Sequence, residues 1–220
     1  MTISILIADD EALLRMAFTT VLEAQPDMTP VGDAADGAEA VRLAEQLRPD
    51  VVLMDVRMPG TDGIEATERL IQISPQSRVL ILTTFDLDEY AFAGLRAGAS
   101  GFLLKNTRPE ELLTAIRNVA AGDAVVSPRI TRRLLENFCT HTPDTGGAVH
   151  AKRLNQLSAR EREVLVQVGR GLSNTEIAAT LCLAEATVKS HLGRILHKLE
   201  LRDRVQAVIF TYESRLIHPA

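Results

Sequence analysis

Five residues of this 220-residue chain could together do phosphoryl chemistry: Asp9, Asp10, Asp55, Thr83 and Lys105. Each follows a short apolar run. ISILIA precedes Asp9-Asp10, VVLM precedes Asp55, VLIL precedes Thr83 and GFLL precedes Lys105. If the runs are neighbouring parallel strands, three carboxylates converge at one edge. Uncompensated, such charges repel and push a pKa upward. A hard divalent cation such as Mg2+, held by carboxylates, carbonyls and water, resolves the repulsion. A lysine ammonium and a threonine hydroxyl beside it suit the oxygens of a phosphoryl group. That set fits metal-assisted phosphoryl transfer to a carboxylate. Singly these residues say little, since an acid after a strand is often only a helix cap, a role Asp10 or Glu11 could fill. The signal is that each one falls at the same end of a different run.

The elements that must position them alternate. Strand-like runs at Ile3–Ala8, Met28–Ala34, Val51–Met54, Val79–Leu82 and Gly101–Leu104 are followed by helical patterns. The patterns cover Glu11–Ala24, Ala38–Leu47, Gly63–Ile73, Glu89–Ala97 and Pro109–Ala121. Five β–α units with strands apolar throughout imply an α/β, doubly wound five-stranded parallel sheet with helices on both faces. In the strand order 2-1-3-4-5 the first and third strands are neighbours, and ligands bind beyond the carboxyl ends where the order reverses.

Composition bounds the rest. Lys and Arg number 24 against 29 Asp and Glu, a net charge of −5, and 46% of residues are hydrophobic, ordinary for a globular protein. No apolar run approaches the ~20 residues of a membrane helix, so no membrane partner is expected. The opening MTISILIADDEALLR lacks a basic region and meets acids at Asp9, unlike a signal peptide. Two cysteines, Cys139 and Cys182, make no disulfide framework, which points to a reducing cytoplasm. The charge is uneven. Residues 1–125 hold 10 basic and 20 acidic residues, whereas residues 126–220 hold 14 and 9. Two domains with different partners are implied, the basic one meeting nucleic acid.

Past Gly122 the pattern loosens. Ser127-Pro128 opens an expected helix Arg129–Cys139, and Thr140–Ala151 is aperiodic and reads as a linker. Helical patterns follow at Ala159–Gly169, Asn174–Leu181, Glu185–Leu199 and Arg204–Leu216. Ser158-Ala-Arg-Glu161 and Ser173-Asn-Thr-Glu176 fit the capping box, and Asp203 stands at an N-cap position, whereas Ala184 is a poor cap. The pair Asn174–Leu181 and Glu185–Leu199 reads as helix-turn-helix. Val188, Leu192, Ile195, Leu196 and Leu199 form the buried stripe, and Lys189, Ser190, Gly193, Arg194 and His197 face outward, as major-groove insertion requires. Asn174, Thr175 and Thr187 lie at helix starts, where donors can hold phosphates. Val205, Val208, Ile209, Tyr212 and Leu216 form a stripe on the last helix.

IADDE, LMDVRMPGTDG, ILTTF and GASGFLLK, in that order over residues 1–122, resemble the receiver domain of bacterial two-component response regulators. The resemblance implies that Asp55 accepts a phosphoryl group from a sensor histidine kinase. Asp10, Asp55 and the backbone carbonyl of Arg57 would ligate Mg2+ directly, with Asp9 acting through water. Thr83 and Lys105 would each take a phosphoryl oxygen. Phe102 stands where many relatives have the tyrosine of the switch pair with Thr83, and lacks its hydroxyl. Pro59-Gly60 would shape the loop after the phosphoacceptor.

Residues 152–217, from LSAREREVL through TVKSHLGRILHKL to Val208, resemble the LuxR-type helix-turn-helix of NarL/FixJ response regulators. An all-α four-helix domain is implied, with Glu185–Leu199 as recognition helix. Lys189 and Ser190 would touch base edges or nearby backbone. His191 borders the buried stripe and could pack or touch DNA, and Arg194 lies on the outer face. Gly193 replaces a basic or polar residue of several relatives. The last helix would supply the dimer contact through Val205, Val208 and Tyr212, the equal alternative being that the whole stripe is core. The expected domains are 1–122 receiver, 123–151 linker and 152–217 DNA-binding.

The chain is thus expected to be a phosphorylation-switched transcription regulator rather than an enzyme. Unphosphorylated, the receiver would restrain the other domain; phosphorylated, a homodimer would bind paired half-sites on double-stranded DNA. Residues 152–220 carry 11 basic and 7 acidic residues, a small excess that makes dimerisation necessary for useful affinity. One rival is a regulator of the same build controlled by a ligand. Another is a phosphohydrolase with Asp55 as nucleophile, but such an enzyme would have a second acid where Arg57 stands. A dinucleotide site is excluded, since the turn Ala8-Asp-Asp-Glu11 has no glycine fingerprint.

Overall fold

The computed structural model describes residues 2–84, 89–122 and 147–217. The expected helix Arg129–Cys139 and residues 140–146 of the expected linker lie outside them. Two compact units are present, one within residues 1–125 and one within 126–220. None of the described helices is long and apolar enough to cross a membrane.

The first unit holds strands β1 (Ile3–Ala8), β2 (Met28–Ala34), β3 (Val51–Asp55), β4 (Arg78–Thr83) and β5 (Gly101–Leu104). Helices α1 (Ala12–Glu23), α2 (Gly37–Leu47), α3 (Gly63–Ile73), α4 (Glu89–Arg96) and α5 (Pro109–Ala120) alternate with them. The sheet is parallel throughout in the order β2-β1-β3-β4-β5, as the alternation predicts. Ile5, Ile7, Leu53, Leu80 and Leu82 bury one face with Phe18 and Leu22 of α1 and Leu112, Leu113 and Ile116 of α5. The intervening Leu6, Val52, Met54 and Ile81 are equally buried. Coverage of both faces is why the central residues of these strands are apolar. Pro30, which cannot donate to a ladder, lies in edge strand β2, where the register with β1 slips between Ile5 and Leu6.

The second unit is helical: α6 (Gly147–Leu154), α7 (Ala159–Gly169), α8 (Asn174–Leu181), α9 (Glu185–Lys198) and α10 (Arg204–Glu213). Its core joins Val164, Leu165 and Val168 of α7, Ile177 of α8, Val188, Leu192 and Ile195 of α9, and Ala207, Val208 and Phe210 of α10. Both predicted capping boxes form, and Asp203 caps α10 by accepting from the Gln206 N–H; Ala184 makes no side-chain cap. Two expectations are corrected. The last helix ends at Glu213, not Leu216, because Arg215 takes a left-handed φ of 53°. Residues 147–151 are helix rather than linker. The Gly146-Gly147 pair disguises α6, which is held by tertiary contact: His150 meets the Phe210 ring edge-on at 5.4 Å, and the Arg153 guanidinium lies 4.9 Å above that ring.

Glu161 ties this unit together. Its carboxylate accepts from the Ser158 N–H at 2.8 Å and meets Lys198 Nζ of α9 at 2.7 Å. The Lys198 ammonium, reinforced by the Ser158 bonds, lowers its pKa to about 2. An unfolded glutamate titrates at the ordinary 4.5, so this stabilisation is complete above that value and is lost as pH falls toward about 2. We expect Glu161→Gln to cost about 1.5 kcal/mol near neutral pH, the low end for a charged hydrogen bond because Lys198 is 38% exposed. Urea unfolding of the full chain between about pH 2 and 7 should show the difference shrink below pH 4.5 and vanish at the acid end.

Candidate functional site

The carboxyl ends of β1, β3, β4 and β5 bring one cluster together. Asp9, immediately after β1, is fully buried, and Asp55, the last residue of β3, is 4% exposed. Lys105, just past β5, reaches between them, its Nζ 2.8 Å from Asp9 Oδ2, 2.9 Å from Asp55 Oδ2 and 3.9 Å from Glu11 Oε1. Asp10 is exposed at the mouth, with a carboxylate oxygen within 4.8 Å of those of Asp9 and Asp55. Thr83 ends β4, buried, and its carbonyl accepts from the Lys105 N–H at 2.8 Å, which fixes the two strand ends side by side. Neither Asp10 nor Glu11 caps α1 by its side chain. The Glu11 N–H donates instead to Asp9 Oδ1 at 2.9 Å.

The loop after Asp55 is shaped by glycine. Gly63 donates to the Val56 carbonyl at 2.9 Å, and a Cβ there would lie 1.8 Å from the Asp55 carbonyl oxygen. No other residue fits without moving the phosphoacceptor candidate. Asp62 before it caps α3, accepting from the Ile64 and Glu65 N–H groups. Arg57 is exposed beyond β3, and its backbone hydrogen-bonds the Asp55 carboxylate. Phe102 is buried on β5 in register with Ile81, whose Cδ1 packs against Gly94 of α4, so its ring lies on the α4 face of the sheet.

Burial raises the pKa of Asp55, and the Lys105 ammonium opposes the shift. Burial by itself would lower the pKa of Lys105, but hydrogen bonds to Asp9 and Asp55 overcome it and hold the ammonium above its ordinary value. One lysine faces four acids, Asp9, Asp10, Glu11 and Asp55, so negative charge remains in excess. Asp9 Oδ2 is sealed from solvent, its charge met by the Lys105 ammonium at 2.8 Å. A buried acceptor beside two further carboxylates fits a hard divalent cation.

In the second unit α9 presents Thr187, Lys189, Ser190, Gly193 and Arg194 to solvent, while Val188, Leu192, Ile195 and Leu199 are buried. His191 is half-buried and its Nδ1 is sealed. A Cβ at Gly193 would meet nothing within 4 Å. At the start of α8, Asn174 Oδ1 accepts from Arg204 of α10 at 2.8 Å, and Thr175 Oγ1 donates to Glu185 Oε2 at 3.2 Å.

Comparison with known proteins assigns both units. Residues 5–117 match the response regulator receiver domain, and residues 155–211 match the luxR family of bacterial regulatory proteins. The transcriptional regulatory protein YxjL of Bacillus subtilis is 44% identical over 216 residues, covering 98% of this chain and 97% of the relative. The nitrate/nitrite response regulator NarL of Escherichia coli K12 is 35% identical over 213 residues, covering 97% and 96%. A LuxR-family two-component response regulator from Aurantimonas sp. SI85-9A1, solved as a crystal structure, superposes with a TM-score of 0.58 at 36% identity, over 63% of this chain and 99% of that one.

The chain is a response regulator of the NarL/FixJ type.

In this regulator the five residues singled out from spacing do meet at one edge of the sheet. The proposed dimer contacts fare differently. Val205 is 2% and Val208 9% exposed, so both are core, and of the three only Tyr212 keeps partial exposure. Helical 3–4 spacing marks an apolar stripe without telling a core stripe from an interface one. Three polar residues escaped the spacing argument. Glu185 sits one turn from Lys189, their charges 3.8 Å apart, and puts an acid on the exposed face of α9; the i,i+4 spacing is its signal. Arg204 and Arg15 act by reaching back to other elements, and no local pattern announces that.

Proposed function

We propose that this response regulator is switched by a phosphoryl group on Asp55, with residues 1–122 as the receiver domain and residues 152–217 as the DNA-binding domain, acting in the cytoplasm. The observation that supports this most is the Lys105 ammonium 2.8–2.9 Å from Asp9 and Asp55 at the edge where Asp10 and Thr83 also end. A carboxylate oxygen of Asp55 attacks phosphorus. The bond from phosphorus to the histidine nitrogen of a sensor kinase breaks, and that nitrogen keeps the electron pair. Lys105 neutralises one phosphoryl oxygen, and the Thr83 hydroxyl donates to another.

Asp10, Asp55 and the Arg57 carbonyl would hold Mg2+, with Asp9 acting through water. Bound there, the ion would supply positive charge that offsets the charge of the phosphoryl group. Phosphorylation adds charge and acceptors; Thr83 and Phe102 then reposition, and a homodimer forms on paired half-sites of double-stranded DNA. Lys189, Ser190, Thr187 and Arg194 face the groove, and Asn174 and Thr175 lie near the phosphates. His191, half-buried, packs at the margin. The dimer contact is the Tyr212 side of α10. Arg57, two residues past Asp55, cannot protonate a leaving group, so turnover of an external phosphate ester is not expected.

The test is direct. The full chain is treated with acetyl phosphate and Mg2+, reduced with borohydride, which turns an aspartyl phosphate into homoserine with release of phosphate, and digested. Homoserine is expected at position 55; no homoserine, or homoserine at another aspartate, overturns the reading.

A further inference from the structure

Arg15 lies one turn inside α1, and its side chain leans back toward the helix start, as helical side chains do. There it makes three bonds. Nη1 donates to the Asp9 carbonyl at 2.7 Å and to the Asp10 carbonyl at 3.3 Å, and Nε donates to Asp33 Oδ2 at 2.8 Å. The side chain is 17% exposed, against 59% for Asp33. The planar fork of a guanidinium can hold all three acceptors at once, which an ammonium cannot match. These bonds pin two successive peptide planes between β1 and α1. The Asp10 carboxylate is exposed, so the peptide that carries it sets its direction. A bare guanidinium beside a cation site would repel the cation; the Asp33 carboxylate cancels that charge.

We propose that Arg15 is a positioning residue for the carboxylate cluster: it holds the main chain of Asp9 and Asp10 in the geometry a divalent cation needs, with Asp33 masking its charge. The proposal rests on the reading that the cluster binds such a cation.

Mn2+ binding to the full chain, followed by the loss of the free-ion electron paramagnetic resonance signal, gives a readout independent of phosphorylation. Arg15→Ala is expected to weaken Mn2+ binding about tenfold, the effect of losing a group that orients metal ligands. Arg15→Lys restores part of the loss, and Asp33→Asn, which uncovers the charge, shifts affinity in the same direction as Arg15→Ala. In phosphorylation by acetyl phosphate, Arg15→Ala raises the half-saturating Mg2+ concentration about tenfold with little change in the limiting rate. A merely structural role would lower the limiting rate and leave the metal requirement alone. Wild-type Mn2+ affinity in a folded Arg15→Ala chain overturns the proposal, as does full recovery by Arg15→Lys. Should Arg15→Ala not fold, Asp33→Asn with unchanged affinity overturns it equally. Absence of Mn2+ binding in the wild-type chain, or binding unaffected by Asp10→Asn, overturns the cluster reading itself and this proposal with it.

Discussion

Lys105→Met is expected to destabilise the metal-free receiver by about 3–5 kcal/mol at neutral pH, the cost of stripping one partner from a buried ion pair. Lys105 is 7% exposed at its side chain, and its two partners are 0% and 6% exposed at theirs. Without it, two carboxylates share a sealed pocket with no cation. Burial and the Asp9 charge then push the Asp55 carboxyl further up, with no ammonium to oppose them. Between the ordinary 3.8 and the raised value the folded chain then binds more protons than the unfolded one. Stability must therefore fall as pH rises through that window, with the loss complete above the raised value. Millimolar Mg2+ should restore much of it by mass action on the folded state. Urea titrations with and without Mg2+ at about pH 5 and pH 8 check each part. A variant as stable as wild type, with no pH slope, would show that the pocket is open enough to hydrate both acids.

The same electrostatics predict the opposite sign for Asp55. Its raised pKa means the buried carboxylate costs stability at neutral pH. Asp55→Asn should leave the metal-free chain as stable as wild type or more so, and loss of switching in that variant cannot then be blamed on unfolding.

The second large effect lies on the recognition helix. Lys189→Ala should weaken binding to a duplex selected by the wild-type chain from random sequence by about 1–3 kcal/mol, roughly 5- to 150-fold, if it reaches a base edge. If it holds only phosphate, binding weakens on every sequence alike and the salt slope drops by about one. Lys189 is 59% exposed and its 3.8 Å approach to Glu185 is loose, so it is available to DNA. Gly193→Lys is the counter-experiment. A side chain there meets nothing within 4 Å, so the fold accepts it. The added cation should tighten binding and steepen the salt slope by about 0.9. Unchanged affinity in both variants would move the DNA surface off α9.

What was legible in the sequence depended on the range of the forces involved. The strand ends that place Asp9, Asp55, Thr83 and Lys105 together follow from burial on two faces, and apolar runs report that directly. Ser158 with Glu161, and Ser173 with Glu176, close three-residue hydrogen-bond loops that local spacing specifies. The α6 helix was hidden because its support is a ring 60 residues away, Phe210, not its own propensity. Core and dimer contact stay open for Val205 and Val208 in the sequence because an apolar stripe is the same whether core or partner covers it. Arg15 was missed because its partners are carbonyls and an acid on β2, groups that every loop and strand end offers.

The most direct measurement compares DNA affinity of wild type and Asp55→Asn, each with and without acetyl phosphate and Mg2+. Wild type should gain about 5- to 150-fold on phosphorylation, the usual 1–3 kcal/mol of coupling between two sites, and Asp55→Asn should gain nothing. An equal gain in both proteins would contradict the role of Asp55 as the switch.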